Sequence, residues 1–332
     1  MKVLVVGSGA WGTALSLLLL ENGNDVTLWS YTERENAAMR TAGENPCLKG
    51  VRIPSALRLT GALDCARDAD VIVIATPSFA VRETAGKLAP LLSPEALVVS
   101  VAKGIENGSF FRMSEVICSE LRENTVAALS GPSHAEEVGR GIPTAVVTAC
   151  ADITAAERIQ DIFMNARFRV YTSDDIVGVE LGAALKNVIA LCAGFVDGMG
   201  FGDNTKAMLM TRGLTEIARV GVRMGGRKET FAGLAGMGDL IVTCTSNYSR
   251  NRRAGLLIGG GMAPQAAMER VGAVVEGYYA AAAGFAMAKQ YGVELPITEA
   301  TYHVLYDGAP LRETFDALMR REKRHESEES WF

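Results

Sequence analysis

Lys186 and Asn187 stand in AALKNVIA, residues 183–190, whose other members are Ala, Leu, Val and Ile. A charge among apolar neighbours is costly unless something holds it. A lysine so placed suits proton transfer: it can protonate a ketone oxygen as a hydride reaches the carbon. Histidine, the commoner acid, is scarce, with only His134, His303 and His325 in the chain. A carboxylate such as Asp239 is suited to orient the lysine, though it raises the pKa that desolvation lowers. The plainer reading is a core lysine that reaches the surface along its stem, or one that pairs with Glu180.

A hydride needs a carrier. GSGAWG, residues 7–12, is G-x-G-x-x-G with Gly7, Gly9 and Gly12. It follows the apolar run KVLVV and opens the apolar stretch TALSLLLLENG, a strand-turn-helix context. There the first glycine allows the tight turn, the second lets a pyrophosphate approach, and the third lets helix pack on strand. A purely structural turn is the alternative. The next strand, DVTLW, ends in Ser30, Tyr31 and Thr32, where an acidic residue would select NAD; Glu33 and Arg34 come later. This stretch leaves NAD and NADP both open.

Other polar residues gather where apolar runs end. AKGIE holds Lys103, and SGPSHAEE holds Gly131, Ser133 and His134. Ligands of parallel sheets bind beyond the carboxyl ends of strands. LKNV, GFGDNTKA, GMGDLIVTCTSNYSRNRRAG and VVEG follow, and these glycine-flanked polar runs suggest loops facing a cleft. In SRNRR, Arg250 reads as a bidentate phosphate clamp with Ser249 and Asn251 as added donors, or as a solvated helix start. Lys103 has a bland reading as a loop lysine, His134 as a loop residue, and Glu276 as a cap for the helix from Gly277. Met199, Met208, Met210 and Met224 read as core.

The elements that must position these residues fall into two sets. Apolar runs at 2–6, 25–29, 69–77, 96–104, 125–133, 144–149 and 168–173 alternate with helical stretches such as 80–92 and 109–123. That alternation predicts an α/β, doubly wound and mainly parallel sheet. Beyond about residue 175 the pattern is helical only, with one long helix over 177–198. Later helices are predicted at 205–224, 229–235, 250–259, 264–270, 277–290, 297–306 and 311–321. The expected domains are 1–177, a dinucleotide-binding unit, and 178–321, an all-α unit, with a charged tail over 322–332.

Composition narrows the classes. The 332 residues are 48% hydrophobic and 21% charged, with net charge −5, which argues against general affinity for nucleic acid. Six scattered cysteines form no C-x-x-C pair, and no histidine cluster exists, so no metal site is expected and a reducing, cytoplasmic setting fits. The apolar N-terminus resembles a signal peptide, but glycines interrupt it and ENGND follows. No other segment is expected to reach the length that spans a bilayer, so no stable membrane insertion is expected.

Taken in order, GSGAWGTALS, NPCLKGVRIP, VSVAKGIE, LSGPSHAEEV, ELGAALKNVIAL, GFGDNTKAMLMTRGLTEI, GLAGMGDLIVTCTS–NYSRNRRAG and VVEG resemble the bacterial type of NAD(P)-dependent glycerol-3-phosphate dehydrogenase, over about residues 2 to 320. The resemblance implies an N-terminal Rossmann domain, a helical C-terminal domain, an interdomain active site and a homodimer. It implies NAD(H) or NADP(H) as cofactor, and reversible reduction of dihydroxyacetone phosphate to sn-glycerol 3-phosphate for phospholipid synthesis. Lys186 matches the catalytic lysine and Asn187 a neighbouring substrate ligand. Lys103, Gly131, Ser133, Asp239, Thr243, Ser249, Arg250 and Asn251 match substrate-contacting positions. Gly7, Gly9, Ala10, Trp11, Gly12, Tyr31, Thr32, Lys103, Ala135, Arg250, Val274 and Glu276 match the cofactor side. Ala10 stands where the family often has Ser, Tyr31 and Thr32 where many members have an Arg, and NPCLKG is one residue short and lacks its Tyr. Two other readings keep the architecture: a 2- or 3-hydroxyacid dehydrogenase, and a non-catalytic NAD(H) sensor.

Overall fold

In the computed structural model, which describes residues 1–323 and 325–326, β1 (Lys2–Val6) is buried from Val3 to Val6, as its apolar run requires. The expected charged tail lies largely outside the described residues. Nine further strands follow in chain order: β2 (Asp25–Trp29), β3 (Glu44–Asn45), β4 (Leu48–Arg52), β5 (Arg58–Thr60), β6 (Val71–Ile74), β7 (Leu97–Ser100), β8 (Val126–Ser130), β9 (Thr144–Ala149) and β10 (Phe168–Ser173). Eight form one sheet in the order β10-β9-β8-β7-β6-β1-β2-β5. Neighbours are parallel except β8 and β9, which pair antiparallel. The chain steps from β1 to β2 on one side and later to β6 on the other, so the strand order reverses at β1 and β6. That is where such sheets open a ligand crevice.

Both faces of the sheet are covered. Val3, Val5, Val73 and Val99 pack with Leu15 and Leu19 of the helix Ala10–Glu21 and with Ile159 of the helix Ile153–Phe163. Leu4, Val6, Ile72 and Val98 pack with Val81 and Ala85 of the helix Val81–Leu88 and with Val116 and Ile117 of the helix Met113–Glu120. β1, β2, β9 and β10 keep the bounds of their apolar runs, whereas β6, β7 and β8 are shorter than the runs 69–77, 96–104 and 125–133. A two-stranded antiparallel hairpin, β3 and β4, and the helix Glu33–Ala42 were not predicted.

The chain divides into two compact units. One comprises residues 1–103 and 113–176, and the other residues 104–112 and 177–332. Residues 104–112, expected within the first unit, pack with the second. Ile105 joins the core of the helical unit, Ile105 and Arg112 form an antiparallel bridge, and Arg112 pairs with buried Glu180 at 2.6 Å.

The helical unit is built round Ile176–Gly198, buried from Gly178 to Val196. This helix has the length and apolarity to cross a bilayer, contrary to the expectation that no such segment exists beyond the N-terminal run. Its most apolar window is 89% buried inside the fold, which explains its composition as that of a core helix. Gly194 and Gly198 face Gly255 and Gly259 of the helix Arg250–Gly259, and a Cβ on either Gly194 or Gly198 would lie 2.7 Å from the partner glycine's Cα. The two backbones approach as closely as they do because four side chains are missing. The run 239–245, read as loop, is the helix Asp239–Thr245, introduced by a π-helical turn at Leu234–Gly238. Met199, Met210 and Met224 pack on the core, whereas Met208 is exposed.

Candidate active site

Glycine chemistry shapes the turn after β1. Gly7 has φ +121°, and a Cβ there would meet the Ala75 backbone at 2.8 Å. Nothing lies within 4 Å of a Cβ on Gly9, whereas one on Gly12 would run into the Gly7 carbonyl. The helix Ala10–Glu21 begins at Gly9 with no side-chain cap and no acidic residue in its first turn. Its first N–H groups and dipole are therefore left to an anion, and Gly9 leaves the room. Trp11 carries a buried indole N–H without a partner, and the buried hydroxyls of Thr76, Ser100 and Ser130, after or at the ends of β6, β7 and β8, also lack one. Orphaned donors at the carboxyl edge of a parallel sheet are what a polar ligand would satisfy, so the residues fit a dinucleotide. Asn45 steadies the turn from the unpredicted hairpin, donating to the Ser8 carbonyl and to Thr13 Oγ1, each at 2.7 Å.

The end of β2 is more committed than its sequence suggests. Ser30 is fully buried and donates to Asn36 Oδ1 at 2.6 Å, and Asn36 donates to Glu33 at 2.9 Å. Thr32 is the N-cap of the helix Glu33–Ala42, in a capping box with Glu35. Tyr31 is 71% exposed, edge-on to Trp29, with Lys87 Nζ 5.6 Å from its ring centre.

Three of the predicted residues of the first unit meet at one carbonyl. Gly131, at φ +148°, accepts from Lys103 Nζ at 3.0 Å and from Ser133 Oγ at 2.9 Å. A Cβ on Gly131 would meet the Val146 Cα at 2.9 Å, so the turn admits only glycine. His134 precedes the short helix Ala135–Val138 without capping it through its side chain, and Ala135 is buried.

In the second unit Lys186 is 4% exposed and answers the question its neighbours pose. Its ammonium donates to Thr243 Oγ1 at 2.6 Å and pairs with Asp239 Oδ1 at 2.8 Å. Thr243 in turn donates to the Asp239 carbonyl at 2.5 Å. Glu180, the alternative partner, is taken by Arg112. The π-helical turn and the helix it introduces set Asp239 and Thr243 four residues apart on one helical face. Cys244, the next residue, is pushed up to about 12 by burial, and Cys192 likewise, so neither thiol serves as a nucleophile.

At the next residue, Asn187 accepts from Asn251 Nδ2 at 2.9 Å, and Asn251 accepts from the Gly277 N–H at 2.8 Å. Ser249 is buried and is the N-cap of the helix Arg250–Gly259, accepting from the Arg252 N–H. Ser249 and Asn251 are thus committed to holding the helix start, rather than serving solely as added phosphate donors. Arg250 between them is exposed and makes no ion pair among the described residues. Glu276 opens the helix Glu276–Tyr291 as its first residue rather than capping it from outside, and Val274 is half-buried before it. Asn45 and the charged group Asp197, Lys206 and Arg252 were missed from sequence. Asn45, Lys206 and Arg252 lie in the polar runs NPCLKG, GFGDNTKA and SRNRR, whereas Asp197 in GFVDGMG gave no such signal. Among the described residues no group of three or more His, Cys, Asp or Glu is placed to hold a metal ion.

Residues 2–156 match the family profile described as NAD-dependent glycerol-3-phosphate dehydrogenase N-terminus, and residues 175–316 match that of its C-terminus. The chain is 50% identical to a glycerol-3-phosphate dehydrogenase (NAD(P)+) of Desulfitobacterium hafniense, covering 99% of this chain and 94% of that one. It is 52% identical to one of Moorella thermoacetica, covering 98% of each. Its fold is similar to the crystal structure of a glycerol-3-phosphate dehydrogenase from Coxiella burnetii, with TM-score 0.93 and 36% identity, over 96% of this chain and 99% of that one.

Proposed function

The chain belongs to the NAD-dependent glycerol-3-phosphate dehydrogenase family and reduces dihydroxyacetone phosphate to glycerol 3-phosphate with NAD(P)H, and from that premise we propose that Lys186 hands the carbonyl oxygen its proton. When bound, the nicotinamide supplies the hydride. Negative charge then grows on the substrate oxygen, and a buried ammonium both stabilises it and delivers the proton. Asp239 and Thr243 hold the Lys186 ammonium in one position, and the burial of all three makes that hold strong. In the reverse direction the neutral amine accepts the proton from the alcohol.

The single observation that carries this reading is the Lys186–Asp239–Thr243 contact in an otherwise apolar core. In the second unit Arg250 and the start of its helix are the phosphate receptor and Asn187 a substrate ligand; in the first unit Lys103, Gly131 and Ser133 are substrate ligands by the resemblance. In the first unit Gly7, Gly9, Gly12, Ala10, Trp11, Tyr31 and Ala135 serve the cofactor; in the second unit Val274 and Glu276 match cofactor-side positions by the resemblance. With no carboxylate at the end of β2, the enzyme accepts both nucleotides, with NADH used at least as well as NADPH. The product feeds phospholipid synthesis, and the protein acts in the cytoplasm as a homodimer; the resemblance and the scattered free cysteines support this. The test is spectrophotometric: oxidation of NADH and NADPH against dihydroxyacetone phosphate, dihydroxyacetone and 2-oxoacids. Turnover with 2-oxoacids alone would overturn the substrate assignment, and light scattering checks the dimer.

A further inference from the structure

We infer that Asp197 is a positioning residue for phosphate recognition: it fixes the turn that presents Arg250. The inference rests on Arg250 receiving the substrate phosphate. Asp197 lies near the end of the helix Ile176–Gly198, beside Gly194 and Gly198, where the helix Arg250–Gly259 comes closest. Its carboxylate faces two cations. Oδ1 pairs with Lys206 Nζ at 2.6 Å, and Oδ2 takes Arg252 Nε at 2.7 Å and Nη2 at 2.6 Å. All three side chains are largely buried, at 12%, 17% and 16% exposure.

Arg252 is the connection to Arg250. Its guanidinium also donates to Asn247 Oδ1 at 2.8 Å, and its backbone N–H to Ser249 Oγ at 3.2 Å. One side chain anchored on Asp197 therefore ties both the loop before the helix and its first turn. On the other flank Asn251 is tied to Asn187 and Gly277. Arg250 is thus exposed on a backbone fixed on both sides. A guanidinium held in a set direction loses less freedom on meeting a phosphate than one on a loose turn.

Charge and positioning predict opposite signs for Asp197→Asn. The group of one carboxylate and two cations already carries a net positive charge, and the substitution makes it more positive. If charge alone mattered, phosphate would bind more tightly. If Asp197 acts by holding Arg252, phosphate binds more weakly.

The experiment measures KM for dihydroxyacetone phosphate, kcat/KM for unphosphorylated dihydroxyacetone, KM for NADH, and inhibition by inorganic phosphate in the full-length enzyme. For Asp197→Asn we expect KM for dihydroxyacetone phosphate and the phosphate inhibition constant to rise together by about tenfold, with the other two within about twofold. Asp197→Glu should recover part of the loss. An unchanged or lower KM for dihydroxyacetone phosphate, or equal losses with and without the phosphate, overturns the inference. Arg252→Lys keeps the charge and loses the planar fork; it is expected to give the same selective loss and decides the matter if Asp197→Asn does not fold. Arg250→Ala runs in parallel. If it shows no selective loss, the phosphate assignment itself falls; if it does and neither Asp197→Asn nor Arg252→Lys follows, only the positioning role falls.

Discussion

Lys186 and Asp239 stand 2.8 Å apart, ammonium to carboxylate, with side chains 5% and 2% exposed. Each is the other's reason for tolerating burial. Removing one partner of such a pair costs about 3–5 kcal/mol, because it strands the other charge.

Lys186→Met should therefore lower both kcat and stability. We expect kcat to fall by roughly 10²–10⁴-fold through loss of the acid. Melting should also occur at lower temperature, because the buried Asp239 carboxylate loses its 2.8 Å ammonium partner. The double variant Lys186→Met with Asp239→Asn should regain most of the stability and none of the turnover. Calorimetry and steady-state kinetics on the three proteins check this, and turnover above about a tenth of wild type in Lys186→Met would remove the lysine as acid.

Arg250→Ala should act on phosphate. A charge-assisted contact is worth about 1.5–3 kcal/mol, so kcat/KM for dihydroxyacetone phosphate should fall by about one to two powers of ten. Dihydroxyacetone should be little affected. Arg250 is exposed and makes no ion pair among the described residues, so melting should stay unchanged. Equal losses on both substrates would point to a cofactor role instead.

Thr32→Arg should shift the ratio of kcat/KM values toward NADPH by about tenfold, by adding an arginine where a 2′-phosphate would lie. The same change removes the Thr32 N-cap, which costs about 1 kcal/mol. The ratio at fixed substrate, in wild type and variant, is the measurement. A strong wild-type preference for NADPH, abolished by Arg34→Ala, would put the anchoring cation at Arg34.

Glu216 gives the fold a pH dependence. It accepts from the N–H groups of Ile297 and Thr298 at 2.6 and 3.1 Å, at the start of the helix Pro296–Tyr306. Burial pushes its carboxyl up from 4.5 to about 7, against the lowering effect of those N–H groups and Arg219. The folded state keeps this proton up to about pH 7, whereas the unfolded chain releases it near 4.5. This contribution is therefore full below pH 4.5 and falls as pH rises toward 7, by about 3 kcal/mol in all. Denaturant unfolding at pH 5 and pH 8 should show that slope, and Glu216→Gln should flatten it. An equal slope in the variant would place the titrating group elsewhere.

The sequence made some of this legible and hid the rest for physical reasons. β10, at the sheet edge, alternates buried Phe168 and Val170 with exposed Arg169 and Tyr171, and β1 and β2 appear as apolar runs because buried parallel strands are apolar on both faces. The helix Ile176–Gly198 was legible for the same reason, and Lys186 stood out against it. Its partner was not legible. Glu180, six residues back, points about 240° round the helix from Lys186, so it was a poor candidate by geometry. Asp239 lies on a short helix that two glycines disguised as loop. The β3–β4 hairpin escaped because LKGVR, buried only at Leu48 and Val51, lacks strand periodicity. Ser249 and Asn251 were read as ligands because both are polar beside an arginine. Only their partners, Arg252 N–H and Gly277 N–H, identify what holds the helix start.

Residues 104–112 bear on how this protein can be recombined. Ile105 belongs to the core of the helical unit and Arg112 to its buried ion pair, yet both are encoded well before residue 177. A chimera made by exchanging everything after residue 177 for a relative's would join Glu180 from one parent to Arg112 from the other. A fragment starting at 177 would lack Arg112, the buried ion-pair partner of Glu180. The helical unit is thus not a cassette in the genetic sense: its inheritance is split across two exchanges, one of them nine residues long.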